Sequence, residues 1–165
     1  MPVTRSRPAT GGARILGKLF SPKSAARRAR SPVSAARLIA AADRARGARD
    51  WANAALLYQQ ALTVDPGLTA IWVQLGHALK EQGDRAGAEA AYRRSIALND
   101  GISDTHLQLG HVLKMQGHRS DAAKAYFTAL LLDPAASDPR LELRGLGYSD
   151  DEITVAVTTG FLLSA

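Results

Sequence analysis

His77 and His111 are separated by an interval of 34, and Asp43 precedes His77 by the same interval. Imidazole and carboxylate are the side chains of metal ligation and of acid–base work near neutral pH. This row is therefore where chemistry would be sought first. Three residues beyond each member lies a cation: Arg46, Lys80 and Lys114. Three residues before the histidines lie amides, Gln74 and Gln108, with Ala40 at the first position. If this interval makes one structural unit, equivalent side chains on neighbouring units start about 10 Å apart. Two imidazoles at that distance could hold a metal only with a third ligand such as Asp43, so the row reads as structural histidines. No nucleophile, base and orienting group share a supporting motif, and no glycine-rich phosphate loop follows a strand. The chain has no cysteine, which excludes disulfides, thiolate ligands and a cysteine nucleophile. The expectation is no catalytic residue, no cofactor and no metal. What remains is binding.

The elements that carry these rows repeat. WVQLGHALKEQGD, from Trp72 to Asp84, and HLQLGHVLKMQGH, from His106 to His118, agree at eight of thirteen positions. The same shift aligns Tyr58, Tyr92 and Tyr126, then Ala54, Ala88 and Ala122. It also aligns the turn pairs Asp65–Pro66, Asn99–Asp100 and Asp133–Pro134. Three units follow, 35–68, 69–102 and 103–136. A fixed period of this length marks stacked supersecondary units, none able to bury its apolar face alone.

Within the second unit Ile71, Leu75, Ala78 and Leu79 recur at helical spacing, and Gly83–Asp84 stops one helix and starts another. Ala88, Ala91, Tyr92, Ile96 and Leu98 form the stripe of that second helix. Gly76 and Ala88 lack bulk where the two helices must approach, which leaves room for Tyr92. Each unit is predicted to be a helix–turn–helix hairpin.

Trp72, Leu75–Gly76, Ala88, Tyr92 and Pro134 resemble the tetratricopeptide repeat (TPR) pattern. The resemblance covers residues 35–136. It implies an all-α, TPR-type helical solenoid of three repeats, closed by one or two C-terminal capping helices over residues 137–165. There are departures: Ala41–Ala42 replaces Leu-Gly in the first unit, Arg49 replaces the turn glycine, and His106 replaces the tryptophan in the third. Leu79 and Leu113 stand where tyrosine is usual.

In that family the first helices line a concave groove that holds an extended peptide or a partner helix. The resemblance thus implies a non-catalytic protein–protein interaction scaffold whose groove residues are Asp43, Arg46, Gln74, His77, Lys80, Gln108, His111 and Lys114. A cationic row flanked by amides suits an acidic segment through charge-assisted hydrogen bonds. The family's carboxylate-clamp pattern requires asparagines that this sequence lacks, which argues against binding chaperone tails. The repeats also look similar to TPR modules ahead of bacterial glycosyltransferase domains. The alternative function is accordingly a module that positions substrate or partner for a separate catalytic domain.

Charge is unevenly placed. Residues 1–34 hold eight of the 21 lysines and arginines and no acid, leaving 13 basic against 15 acidic residues in the rest. With Gly11–Gly12, Ser21–Pro22 and Ser31–Pro32, this leader is predicted to be disordered. Three readings of it stay open: a solvated tail, an organellar transit peptide, and a weak membrane-surface or nucleic-acid contact through Arg27, Arg28 and Arg30. No specific nucleic-acid partner is expected. ITVAVTTGFLLSA, the longest apolar stretch, is short of the roughly 20 residues that span a bilayer, so a cytoplasmic protein without a transmembrane segment is expected. The 137–165 segment loses the repeat pattern. Ser137 or Asp138, before Pro139, starts a short helix ending at Gly145, and Ser149-Asp150-Asp151-Glu152 reads as a capping box opening a last helix. Its apolar end, Phe161–Leu163, is a candidate for self-association.

Overall fold

The computed structural model describes residues 34–160. The expectations for the leader and for Phe161–Leu163 fall outside the described residues. Among the described residues there are eight helices and no strand. They are α1 (Ala35–Gly47), α2 (Trp51–Val64), α3 (Thr69–Gln82), α4 (Arg85–Leu98), α5 (Ser103–Met115), α6 (Arg119–Leu132), α7 (Ser137–Gly145) and α8 (Asp150–Thr159). The helices pair as the hairpins α1–α2, α3–α4 and α5–α6. Each hairpin then packs on the next, α2 against α3, α4 against α5 and α6 against α7. The fold is all-α, as the periodicity predicted.

Each hairpin is set by a few residues. Gly83 and Gly117 take positive φ angles of 93° and 87° at the tight turns. Arg49 occupies the same place in the first hairpin at φ 59°, a left-handed conformation that costs a non-glycine residue about 1–2 kcal/mol. Asp50 and Asp84 cap the second helices by accepting from the backbone N–H groups of Asn53 and Gly87. Between hairpins, the side-chain oxygens of Asp65, Asn99 and Asp133 accept from the N–H two residues on, at 2.9, 3.1 and 3.1 Å. These are three copies of one Asx turn, recurring with the period of the repeat.

Tyr58, Tyr92 and Tyr126 are fully buried, inside a core of leucine and alanine. A Cβ built on Gly76 would lie 2.6 Å from the Tyr92 ring, and one on Gly110 would lie 2.4 Å from the Tyr126 ring. The two glycines are therefore steric requirements of the tyrosine packing. Trp72 donates its indole N–H to the Pro66 carbonyl at 2.9 Å. His106, its replacement, places Nε2 2.8 Å from the Asp100 carbonyl. A carbonyl can only accept, so Nε2 carries the proton and the imidazole makes the tryptophan's bond.

The C-terminal segment keeps more of the repeat than its sequence advertised. α7 starts at Ser137, one full period after α5 starts at Ser103, and buries Pro139 and Leu143. The glycine position of the hairpins is here Arg144, which pairs with Asp150 at 2.7 Å. α8, opened by the Ser149–Glu152 capping box, packs Ile153 and Ala156 into the core. Tyr148 meets Phe127 edge to face at 5.2 Å. The last two helices form a shortened hairpin that covers α6.

Candidate functional site

The first helices of the hairpins, α1, α3 and α5, are linked to one another and to α7 by side chains on one face. Arg46 donates to Gln74 Oε1 at 3.0 Å, and Lys80 donates to Gln108 Oε1 at 3.1 Å. Lys114 pairs with Glu142 in the same way. Every link joins a cation to the residue 28 positions later. The amide row and the cation row are thus interlocked as rungs. Asp43 lies 3.7 Å from Arg46, both of them about half exposed.

Beneath the rungs lies the Asp43, His77, His111 row, each member over the tyrosine of its own hairpin. The Tyr58 hydroxyl donates to Asp43 Oδ1 at 2.6 Å. Tyr92 Oη is 3.1 Å from His77 Nδ1, and the two rings meet edge to face. In the third hairpin the rings of His111 and Tyr126 are 5.7 Å apart, but the Tyr126 hydroxyl is buried without a well-formed hydrogen bond. His111 Nε2 instead faces Glu142 Oε1 at 3.5 Å.

All eight residues named from the sequence therefore lie on this face, but they are not gathered at one point. They form neighbouring pairs, and His111 and Lys114 are joined through Glu142. Among the described residues no three histidine, cysteine or acidic side chains are close enough to hold a metal. Sequence reasoning missed Glu142. Its signal was present, because Glu142 follows Gln108 by the same interval that separates Gln108 from Gln74.

Residues 69–101 match the tetratricopeptide repeat family model. The solved structures similar to this chain include the first TPR of Spaghetti (RPAP3) bound to the HSP90 peptide SRMEEVD, at 20% identity and a TM-score of 0.66, covering 69% of this chain and 90% of that one. MamA is similar at 21% identity and a TM-score of 0.67, covering 78% of this chain and 77% of its own. The Sgt2 TPR domain from Aspergillus fumigatus follows at 16% identity and 0.63, covering 68% and 76%. No curated protein sequence matches the chain. This is a tetratricopeptide-repeat fold.

With the fold in place, the electrostatics of this face become specific. Burial lowers the pKa of His77, with the Lys80 charge acting in the same direction. Burial also lowers that of His111, opposed by the Glu142 carboxylate. Both imidazoles are therefore neutral near pH 7, and the positive charge of the face belongs to its arginine and lysines. Burial raises the hydroxyls of Tyr58, Tyr92 and Tyr126 well above the usual phenol range, so they act as neutral hydrogen-bonding groups. At Tyr126 the nearby Glu142 carboxylate adds to the rise. Of the three cations, Arg46 has Asp43 beside it and Lys114 has Glu142. Lys80 is bonded to a neutral amide.

Proposed function

We propose that this TPR-fold protein is a non-catalytic scaffold whose inner face holds an extended, acidic segment of a partner protein. The observation that carries the reading is Lys80. Among the described residues it has no carboxylate within ion-pair distance, and it lies mid-row on the face that TPR folds present inward. A partner carboxylate would complete its charge while Gln108 fixes its position. The Spaghetti TPR holds a peptide with three acidic residues, which supports the use of this fold for such ligands. The asparagine-dependent clamp is absent from this chain, so the proposed contact is with acidic side chains and not with a chain end.

The rung spacing, about 10 Å, also suits an extended ligand. A polyproline-II-like segment rises about 3.1 Å per residue with three residues per turn. Every third side chain then meets a rung.

The test uses a fluorescein-labelled hexaglutamate, acetylated and amidated at its ends, with hexalysine as control. The full-length protein should raise the anisotropy of hexaglutamate alone, and less strongly as salt rises, because screening acts within about 8 Å at physiological ionic strength. Lys80→Glu should weaken binding about tenfold or more, since hydrogen bonds to charged groups contribute about 1.5–3 kcal/mol. Its urea melt should shift by no more than about 0.5 kcal/mol, as for other surface changes. Equal affinity of Lys80→Glu and the parent would remove the basis of the reading.

A further inference from the structure

The fourth position of the amide row carries a carboxylate. Ala40, Gln74, Gln108 and Glu142 follow one another at the period of the repeat, and the last three each receive the cation of the preceding repeat. In the first two rungs the acceptor is a neutral amide, which orients the cation without cancelling its charge. In the third it is an anion. One Glu142 oxygen pairs with Lys114 and the other lies 3.5 Å from His111 Nε2. A single internal carboxylate thus faces both the ammonium and the imidazole of the third repeat.

Two further observations mark the place as a site. Lys80, Glu81, His111, Lys114, Met115 and Glu142 line an open cleft of about 440 Å³. Under it lies Tyr126, fully buried, whose hydroxyl is left without a well-formed hydrogen bond. The equivalent hydroxyls of Tyr58 and Tyr92 are both satisfied by the Asp43, His77 row. Burial, and then the same Glu142 carboxylate, raises the pKa of Tyr126. This cleft accordingly offers an ammonium, an imidazole and a phenol to an acceptor.

We propose that the cleft is a binding subsite for an acidic side chain, and that the chain's own Glu142 fills it as a tethered competitor. The inference rests on the reading of the inner face as a receptor for acidic segments. Glu142 is attached to α7 and so competes at an effective concentration of about the millimolar scale. A partner carboxylate must displace it to engage Lys114. Glu142 therefore limits acidic recognition to the first two rungs until it moves.

The experiment measures hexaglutamate anisotropy with the full-length parent, Glu142→Gln, Glu142→Gln/Lys114→Gln, Lys80→Glu and Glu81→Gln. Glu142→Gln restores the amide of the other rungs and frees the Lys114 charge, so it should bind about tenfold tighter. That gain should vanish in the double variant. Glu81→Gln removes the same charge from the same cleft without touching the rung and should gain much less. Equal gains for Glu81→Gln and Glu142→Gln would reduce the effect to net charge and overturn the competitor. No gain for Glu142→Gln, with binding still weakened by Lys80→Glu, would overturn it while leaving the acidic-segment reading intact. Binding by Glu142→Gln but not by the parent would support the competitor and show that Lys80 alone does not hold the segment, and no binding by any protein would sink both. Should Glu142→Gln fail to melt cooperatively, Glu142→Asp decides. It withdraws the carboxylate by one methylene and should bind more tightly than the parent, and equal or weaker binding would overturn the proposal.

Discussion

Replacing Gly76 by alanine sets two effects of opposite sign against each other. Alanine is the better helix former by about 1 kcal/mol, and on propensity alone the variant would be more stable. The new Cβ would, however, lie 2.6 Å from Cε1 of Tyr92 and 2.8 Å from both Cδ1 and Cζ. Carbon atoms rest at about 3.5–4.0 Å, so the ring would have to retreat by roughly 1 Å. Tyr92 is 0% exposed, and His77 meets both its hydroxyl and its ring edge. It has nowhere to go without moving α4. Overpacking of this kind costs about 1–3 kcal/mol, and a rigid ring belongs near the upper end. The net expectation is a loss of about 1–2 kcal/mol in urea melts. In a Tyr92→Leu background the clash is gone, and Gly76→Ala should then be neutral or stabilising. The cycle should show a coupling of about 2 kcal/mol, within the range found for residues in contact. The first hairpin carries alanine naturally, since Ala42 is fully buried there and Tyr58 is held by Asp43. If Gly76→Ala stabilises the parent, the close approach of α3 and Tyr92 is wrong.

Two further outcomes follow from the titrating and capping groups. Burial holds the folded-state pKa of His77 and His111 below the ordinary value of 6.5. The unfolded chain therefore binds more protons in the window just beneath 6.5, so stability is complete above it and falls as pH drops towards the folded values. Urea midpoints should decrease between pH 7.5 and 5.5 and less so in His77→Gln, and a rise on acidification would refute the assignment. Ser149→Ala removes the capping box of α8 and should cost about 1 kcal/mol, seen as faster amide exchange over Asp150–Thr159 than in α3–α6. The Glu152 carboxyl, held below its ordinary value mainly by the Ser149 backbone N–H and then by its side chain, should titrate higher in that variant by NMR. An unchanged Glu152 titration would mean that the Ser149 hydroxyl does not bond to that carboxylate.

The hairpins were legible because their period and their sterics agree. A glycine and a tyrosine recurring at fixed offsets describe one close helix contact, and the contact is there in the second and third repeats. The departures were harder to weigh, since residue identity conceals equivalent chemistry. His106 looks like the loss of a tryptophan, yet it makes the same bond to a carbonyl six residues back. Arg49 looks like the loss of a turn, yet it adopts the left-handed conformation itself. Residues 137–145 lose the repeat pattern in sequence, and Arg144 stands at the place of the packing glycine. The register of α7 is kept all the same.

The rows of this face were also legible, because equivalent residues on stacked hairpins must share a face. Their pairing was not. Which cation meets which acceptor depends on how far each hairpin is displaced against the next, and nothing in the repeat pattern states that displacement. With the rungs in view, the charge of the face is uneven for a physical reason. Neighbouring rungs are separated by about 10 Å, more than the screening length of about 8 Å in physiological salt. Each cation is thus felt by a ligand largely with its own counter-ion alone. The Arg46–Asp43 pair is exposed and long, and pairs of that kind contribute little and are easily exchanged. Lys114 is matched by the carboxylate of its own rung. On the proposed reading, the second rung, where Lys80 is oriented by an amide and left charged, is the strongest anchor on the face, and the residues on either side of it would set how far an acidic segment can extend.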